Sequence, residues 1–165
     1  MRCRVLCLLL LLPLLSACGS PAVPDYFAYR NTDFAATLEG NAGGRDFRCE
    51  VHCRDGVPQR VEWSAPQALA GVALTGDRER VVLTRGELRA EFDPGQLAGL
   101  LLPVRLLLAE GATVRTVRRI PGGMLLSVNT AALSCPVSFT LSEQGFPTVI
   151  SCGEISFRVT PLPAG

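Results

Sequence analysis

The ten residues "RDFRCEVHCR" at 45–54 alternate without a break. Phe47, Cys49, Val51 and Cys53 fall on one side of an extended chain, with Arg48, Glu50, His52 and Arg54 on the other. Like residues recur every 3.6 positions on a helix, so a strict period of two commits this segment to a half-buried antiparallel strand. The same rhythm runs through much of the chain. "DFAATLEG" sets Phe34, Ala36 and Leu38 against Thr37 and Glu39, and "QRVEWS" sets Val61 and Trp63 against Arg60 and Glu62. "NAGG" and "DGVP" supply turns between these runs. Further strands are expected near 71–75, 79–84, 86–92, 113–120, 124–130, 136–142 and 148–160, with Gly153 marking a bulge inside the last.

One segment breaks the rhythm. In "FDPGQLAGLLLPVRLLLAEG", Leu97, Leu100, Leu101, Val104, Leu107 and Leu108 recur at helical spacing. Asp93 suits the N-cap and Pro94 the first helical position, where no amide donor is needed. Pro103 should split or kink the helix, and Gly111 should stop it. A long antiparallel meander with one apolar face needs a cover, because an exposed face of that size would be adhesive. The leucine-rich insertion is that cover. The expected fold is therefore α+β and mostly β: a curved antiparallel sheet, or half-barrel, covered by a short leucine-rich helical insertion.

The amino terminus has the layout of an export signal. Arg2 and Arg4 precede an apolar run from Val5 to Leu15, and small residues then lead to Cys18. The run is about half the roughly 20 residues a membrane-spanning helix needs. Leu15-Ser16-Ala17-Cys18 resembles the bacterial lipobox, which implies diacylglyceryl transfer to the Cys18 thiol and cleavage before it. One acyl chain holds a protein only marginally, so two or three on Cys18 are expected for durable attachment. The boundaries that follow are a lipoprotein signal peptide at 1–17, a lipidated cysteine and tether at 18–32, and a domain at 33–165. The expected location is the cell membrane, lipid-anchored and facing away from the cytoplasm. "GSPAVPD" keeps the domain close by, since seven extended residues reach at most about 25 Å.

Without Arg2 and Arg4, the 16 basic residues fall to 14 against 15 acidic, a formal charge of −1. No basic stripe points to nucleic acid. Of seven cysteines, Cys3 and Cys7 leave with the signal and Cys18 carries lipid, which leaves Cys49, Cys53, Cys135 and Cys152. Four cysteines allow three pairings. Cys49 and Cys53, four apart on a strand, lie roughly 13 Å from each other and cannot pair together. Buried free thiols are an equal alternative.

Little in the chain points to chemistry. Strand alternation turns His52 away from Cys49 and Cys53, so these three cannot converge on one metal ion. There is no Gly-x-Ser-x-Gly elbow, Walker loop or dinucleotide fingerprint. The expectation is a non-enzymatic protein with no metal and no cofactor. "RTVRRI" at 115–120 divides its arginines between two faces, as a solvated edge strand would.

The order of elements resembles a known group. A lipobox is followed by a meander containing "VEWSAPQALAGVALTGDRERVVL", a leucine-rich helix, and a closing "LSEQGFPTVI". Over residues 33–160 this is similar to the LolA/LolB-type lipoprotein-carrier superfamily, particularly clostridial lipoproteins related to germination lipoproteins. The resemblance implies a curved sheet around an apolar hollow capped by short helices. Some members carry acyl chains there, and others act through surface contacts. Such carriers open with a long amphipathic helix, whereas here only "DYFAYRN" precedes the first strand.

Two functions follow. One is an envelope lipoprotein acting through protein contacts, as a scaffold or stabilising partner. The other is a carrier or binder of an apolar ligand, such as an acyl chain or lipoprotein lipid. Interior volume separates them. A carrier would leave space among Phe34, Phe47, Trp63, Leu97, Leu101, Val104, Leu108, Phe139 and Phe157, and a scaffold would fill it.

Overall fold

A computed structural model describes residues 25–163 apart from residue 78. The signal peptide and Cys18 lie outside the described residues. Eleven strands form a single antiparallel sheet: β1 (Phe34–Ala42), β2 (Arg45–Arg54), β3 (Val57–Ala65), β4 (Ala73–Gly76), β5 (Val81–Arg85), β6 (Leu88–Phe92), β7 (Thr113–Ile120), β8 (Gly123–Asn129), β9 (Val137–Ser142), β10 (Pro147–Cys152) and β11 (Ile155–Pro161). Their order across the sheet is β6-β5-β4-β3-β2-β1-β11-β10-β9-β8-β7. The first and last strands thus meet in the middle, and the sheet edges fall at β6 and β7. Sheets of this width curl rather than stay flat, because the twist between neighbouring strands accumulates. The expected mostly-β half-barrel with a short helix is what the chain forms.

Register brings the alternating apolar residues onto one face. Leu38 sits between Cys49 of β2 and Val159 of β11. Leu126, Phe139 and Ile150 line up across β8, β9 and β10. Each of these residues is at most 3 % exposed. At Gly40 the backbones come close: an added Cβ would lie 2.1 Å from the Ser156 carbonyl oxygen and 2.4 Å from the Phe157 Cα. Without a side chain there, Phe47 and Phe157 meet edge to face across it, 5.7 Å between ring centres.

The leucine-rich insertion covers this face. A single 3₁₀ turn, Pro94–Leu97, leads into α1 (Ala98–Leu107). Gln96 Oε1 accepts the Asp93 N–H at 3.0 Å, fixing the entry. Pro103 lies inside α1, and the break falls instead at Leu97–Ala98. The helix also ends earlier than Gly111. The Ala109 N–H donates to the Leu106 carbonyl and the Glu110 N–H to the Arg105 carbonyl, with Ala109 left-handed at φ 48°. That double bond pattern terminates helices without a glycine at the turning residue. Val104, Leu106 and Leu107 are buried against the sheet. Antiparallel order makes β6 and β7 run the same way, so the connection that carries α1 passes from the end of β6 to the start of β7 at the opposite end of the sheet.

Two expectations are corrected here. Residues 148–160 are not one strand with a bulge. Cys152 pairs with Ile155, and Gly153 (φ 57°) and Glu154 form a two-residue hairpin loop. A glycine in a strand and a glycine in a tight loop look alike without knowledge of the partner strand. Second, the segment assigned to the tether is partly core. Ala28–Asn31 forms a 3₁₀ turn, and Phe27 and Tyr29 are 4 % and 8 % exposed. Among the four domain cysteines, Cys135 and Cys152 form a disulfide, while Cys49 and Cys53 are buried free thiols.

Candidate functional site: the plugged mouth of the half-barrel

Successive turns of a meander alternate between its two ends. The hairpins after β2, β4, β7 and β9 share one end with the start of β1, and there the chain enters from Asp25. This end is the mouth of the half-barrel, and residues 25–32 plug it. Asp25 Oδ1 accepts the Phe27 N–H at 3.0 Å, and Thr32 Oγ1 donates to the Tyr29 carbonyl at 2.8 Å, bracketing the 3₁₀ turn. Its two inward rings enter an aromatic cluster. Phe27 meets Phe139 edge to face at 5.5 Å, and Tyr29 meets Phe146 at 5.4 Å and Phe34 at 6.0 Å.

The plug is fastened to the helix. The Tyr29 hydroxyl donates to the Leu107 carbonyl, and burial pushes its pKa well above the ordinary phenol value. Arg30 places its guanidinium 5.0 Å from the centre of the Phe27 ring. The same group donates to the Ala109 carbonyl at 3.2 Å and the Leu108 carbonyl at 3.5 Å. Those carbonyls carry the negative end of the helix dipole, so a cation is well placed there.

The plug leaves a hollow on each side. The first, about 720 Å³, lies between α1 and β3–β5. Leu101, Val104 and Leu108 wall it from the helix, and Val61, Leu74 and Val81 from the sheet. Its rim is charged but mostly self-satisfied: Arg30 is spent on the helix carbonyls, and Arg105 Nε pairs with Glu110 Oε2 at 2.9 Å. At the β4–β5 turn, Asp77 accepts the amides of Arg80 and Glu79, which hold its carboxyl below the usual range. The second hollow, about 700 Å³, lies between the plug and β7–β10. Tyr26, Met124, Leu141 and Phe146 make it apolar, and Arg119 stands at its side.

The nine residues expected to line a cavity therefore separate into groups. Phe47, Trp63, Phe139 and Phe157 are buried at 5 % exposure or less, packed in the interior. Phe34 and Leu97 are half-buried against that core. Leu101, Val104 and Leu108 border the first hollow. Sequence reasoning missed Phe27, Tyr29, Arg30 and Phe146, and placed Arg119 only on a solvated edge strand. The signal for the first two was present in "DYFAYRN", whose Phe27 and Tyr29 alternate as the strands do.

His52 is exposed on the outer face of β2, opposite the face that buries Cys49 and Cys53. Burial raises both thiols to about 12, so they are protonated and unreactive at neutral pH. No group of three or more His, Cys, Asp or Glu side chains converges on one point among the described residues.

Fold and mouth together define an open, eleven-stranded antiparallel half-barrel crossed by one helix and stoppered by its own amino-terminal turn. An uncharacterised conserved protein from Thermus thermophilus has a similar fold, with a TM-score of 0.56 and 12% identity over 83% of this chain and 82% of that one. No protein-family model matches the chain, and no curated protein matches its sequence.

Proposed function

We propose that this protein is a non-enzymatic envelope lipoprotein, anchored through lipid on Cys18, that acts by protein contacts as a scaffold or stabilising partner. One observation carries the reading: the concave interior is occupied by the protein's own side chains. Leu38, Leu106, Leu107, Phe139 and Ile150 are fully buried there. The Cys135–Cys152 disulfide supports export, since such bonds persist in oxidising compartments. The half-barrel with a helical cover fits the LolA/LolB-type resemblance, and the short stopper in place of a long opening helix favours the contact-making members over the carriers.

A second reading, an apolar-ligand binder, is favoured by the two hollows at the mouth. Each is of ordinary ligand-pocket size. Titrating residues 20–165 with a fluorescent fatty acid separates the two. A scaffold gives no saturable signal. Saturable binding that unlabelled lipid displaces would overturn the first reading in favour of the second.

A further inference from the structure

The β7 edge brings together features that the scaffold reading leaves unused. β7 ends the sheet, so one side of its backbone has no neighbouring strand. After an irregularity between Val114 and Thr116, residues Thr116–Ile120 pair regularly with β8. Val117 and Arg119 face the concave side, opposite Leu126 and Met124, and both flank the second hollow. Thr116 and Arg118 face the convex side, opposite Ser127 and Leu125. Arg115, Arg118 and Arg119 are exposed, and none takes part in an ion pair among the described residues. Val117 is 42% exposed.

We propose that β7 is a docking strand for an extended segment of a partner protein in which acidic and apolar residues alternate. This rests on the scaffold reading and names the chemistry of the partner. An added strand gains affinity from main-chain hydrogen bonds and specificity from alternate side chains. On one face, its apolar residues would lie over Val117 and the hollow beside Met124. Its carboxylates would meet Arg118 on the other face, while Arg119 stands at the rim beside the apolar residues. Three uncompensated arginines favour an acidic strand and disfavour a second β7 edge, because like charges directly across a strand pair repel. A flat anionic bilayer fits poorly, since Arg118 and Arg119 point to opposite faces of the sheet. The other edge, β6, is only five residues long and mixes Arg89 with Glu91, which already pairs with Arg80 at 3.9 Å.

The test uses the full lipidated chain in nanodiscs of neutral phosphatidylcholine and a labelled peptide alternating Glu and Val. Fluorescence polarisation should show saturable binding that weakens with salt. Amide exchange should slow at 116–120. The variant Arg118→Glu should bind about fivefold more weakly, from one reversed cross-strand charge pair. Arg89→Glu on the opposite edge should bind as the parent does. A peptide N-methylated at alternate residues should fail, because it cannot complete the ladder. The proposal is overturned by absence of binding, by binding indifferent to the Arg118 reversal or to N-methylation, or by protection at β6 instead. Running the fatty-acid titration on residues 20–165 in parallel keeps the two ideas apart. Lipid binding there sinks the scaffold reading, whereas its absence together with a silent peptide sinks only the β7 assignment.

Discussion

Truncating Phe139 to alanine asks directly whether the interior is filled. The ring is completely buried, lies between Leu126 and Ile150 across the sheet, and meets Phe27 of the stopper edge to face. Removing a buried phenylalanine costs about 3–5 kcal/mol, with the larger losses where neighbours cannot collapse into the space. Here the sheet and the stopper both hold the site, so the upper part of that range is expected. Against a total stability of about 5–15 kcal/mol, this is a large fraction. At about 3 °C per kcal/mol for a domain of this size, melting should fall by roughly 10–15 °C. The single tryptophan, Trp63, is 4 % exposed and packs beside Phe47, which makes its fluorescence a built-in reporter for urea unfolding. A loss under about 1 kcal/mol, smaller than any filled core allows, would mean that Phe139 borders empty space. The interior would then not be filled by the protein's own side chains.

Three other outcomes are expected. Cys18→Ser should abolish acylation and membrane retention; a variant that still fractionates with membranes and incorporates labelled fatty acid would contradict the anchor. Replacing Cys135 and Cys152 together by serine should lower stability by about 3 kcal/mol, from a closed loop with a sequence separation of 17, measured by urea denaturation without reductant. Cys49 and Cys53 titrate near the ordinary 9.0 when unfolded but at about 12 when folded. Both forms are protonated below pH 9, so stability there is unaffected. Between about pH 9 and 12 the unfolded chain releases these protons first, and stability should fall by up to about 4 kcal/mol for each thiol. Cys49→Ala should flatten that decline, and an unchanged alkaline profile would refute the assignment.

Legibility followed locality. The strand run at 45–54 could be read residue by residue, because alternation reports the strand and its buried face together. The helix was legible for the same reason, but its ends were not. Asp93 and Pro94 opened a 3₁₀ turn before the helix proper, and a left-handed Ala109 closed it ahead of Gly111. Terminal geometry depends on carbonyls already committed elsewhere, and here Arg30 occupies two of them from 78 or 79 positions away. The cavity lining was half legible. Apolar residues on the inner face could be chosen, but not which of them the stopper and helix would bury completely.

Read alone, the chain determined its period: strands with one oily face, a leucine-rich interruption to cover them, and a lipobox-like start. Those are properties of neighbours along the backbone, set by side-chain direction and hydrophobicity. Tertiary structure decided that β1 pairs with β11, that Cys135 finds Cys152, and that Phe27 and Tyr29 close the mouth. It also decided that β7 is left as an edge. Each of these joins residues distant in sequence, and only the curl of the completed sheet brings them within reach.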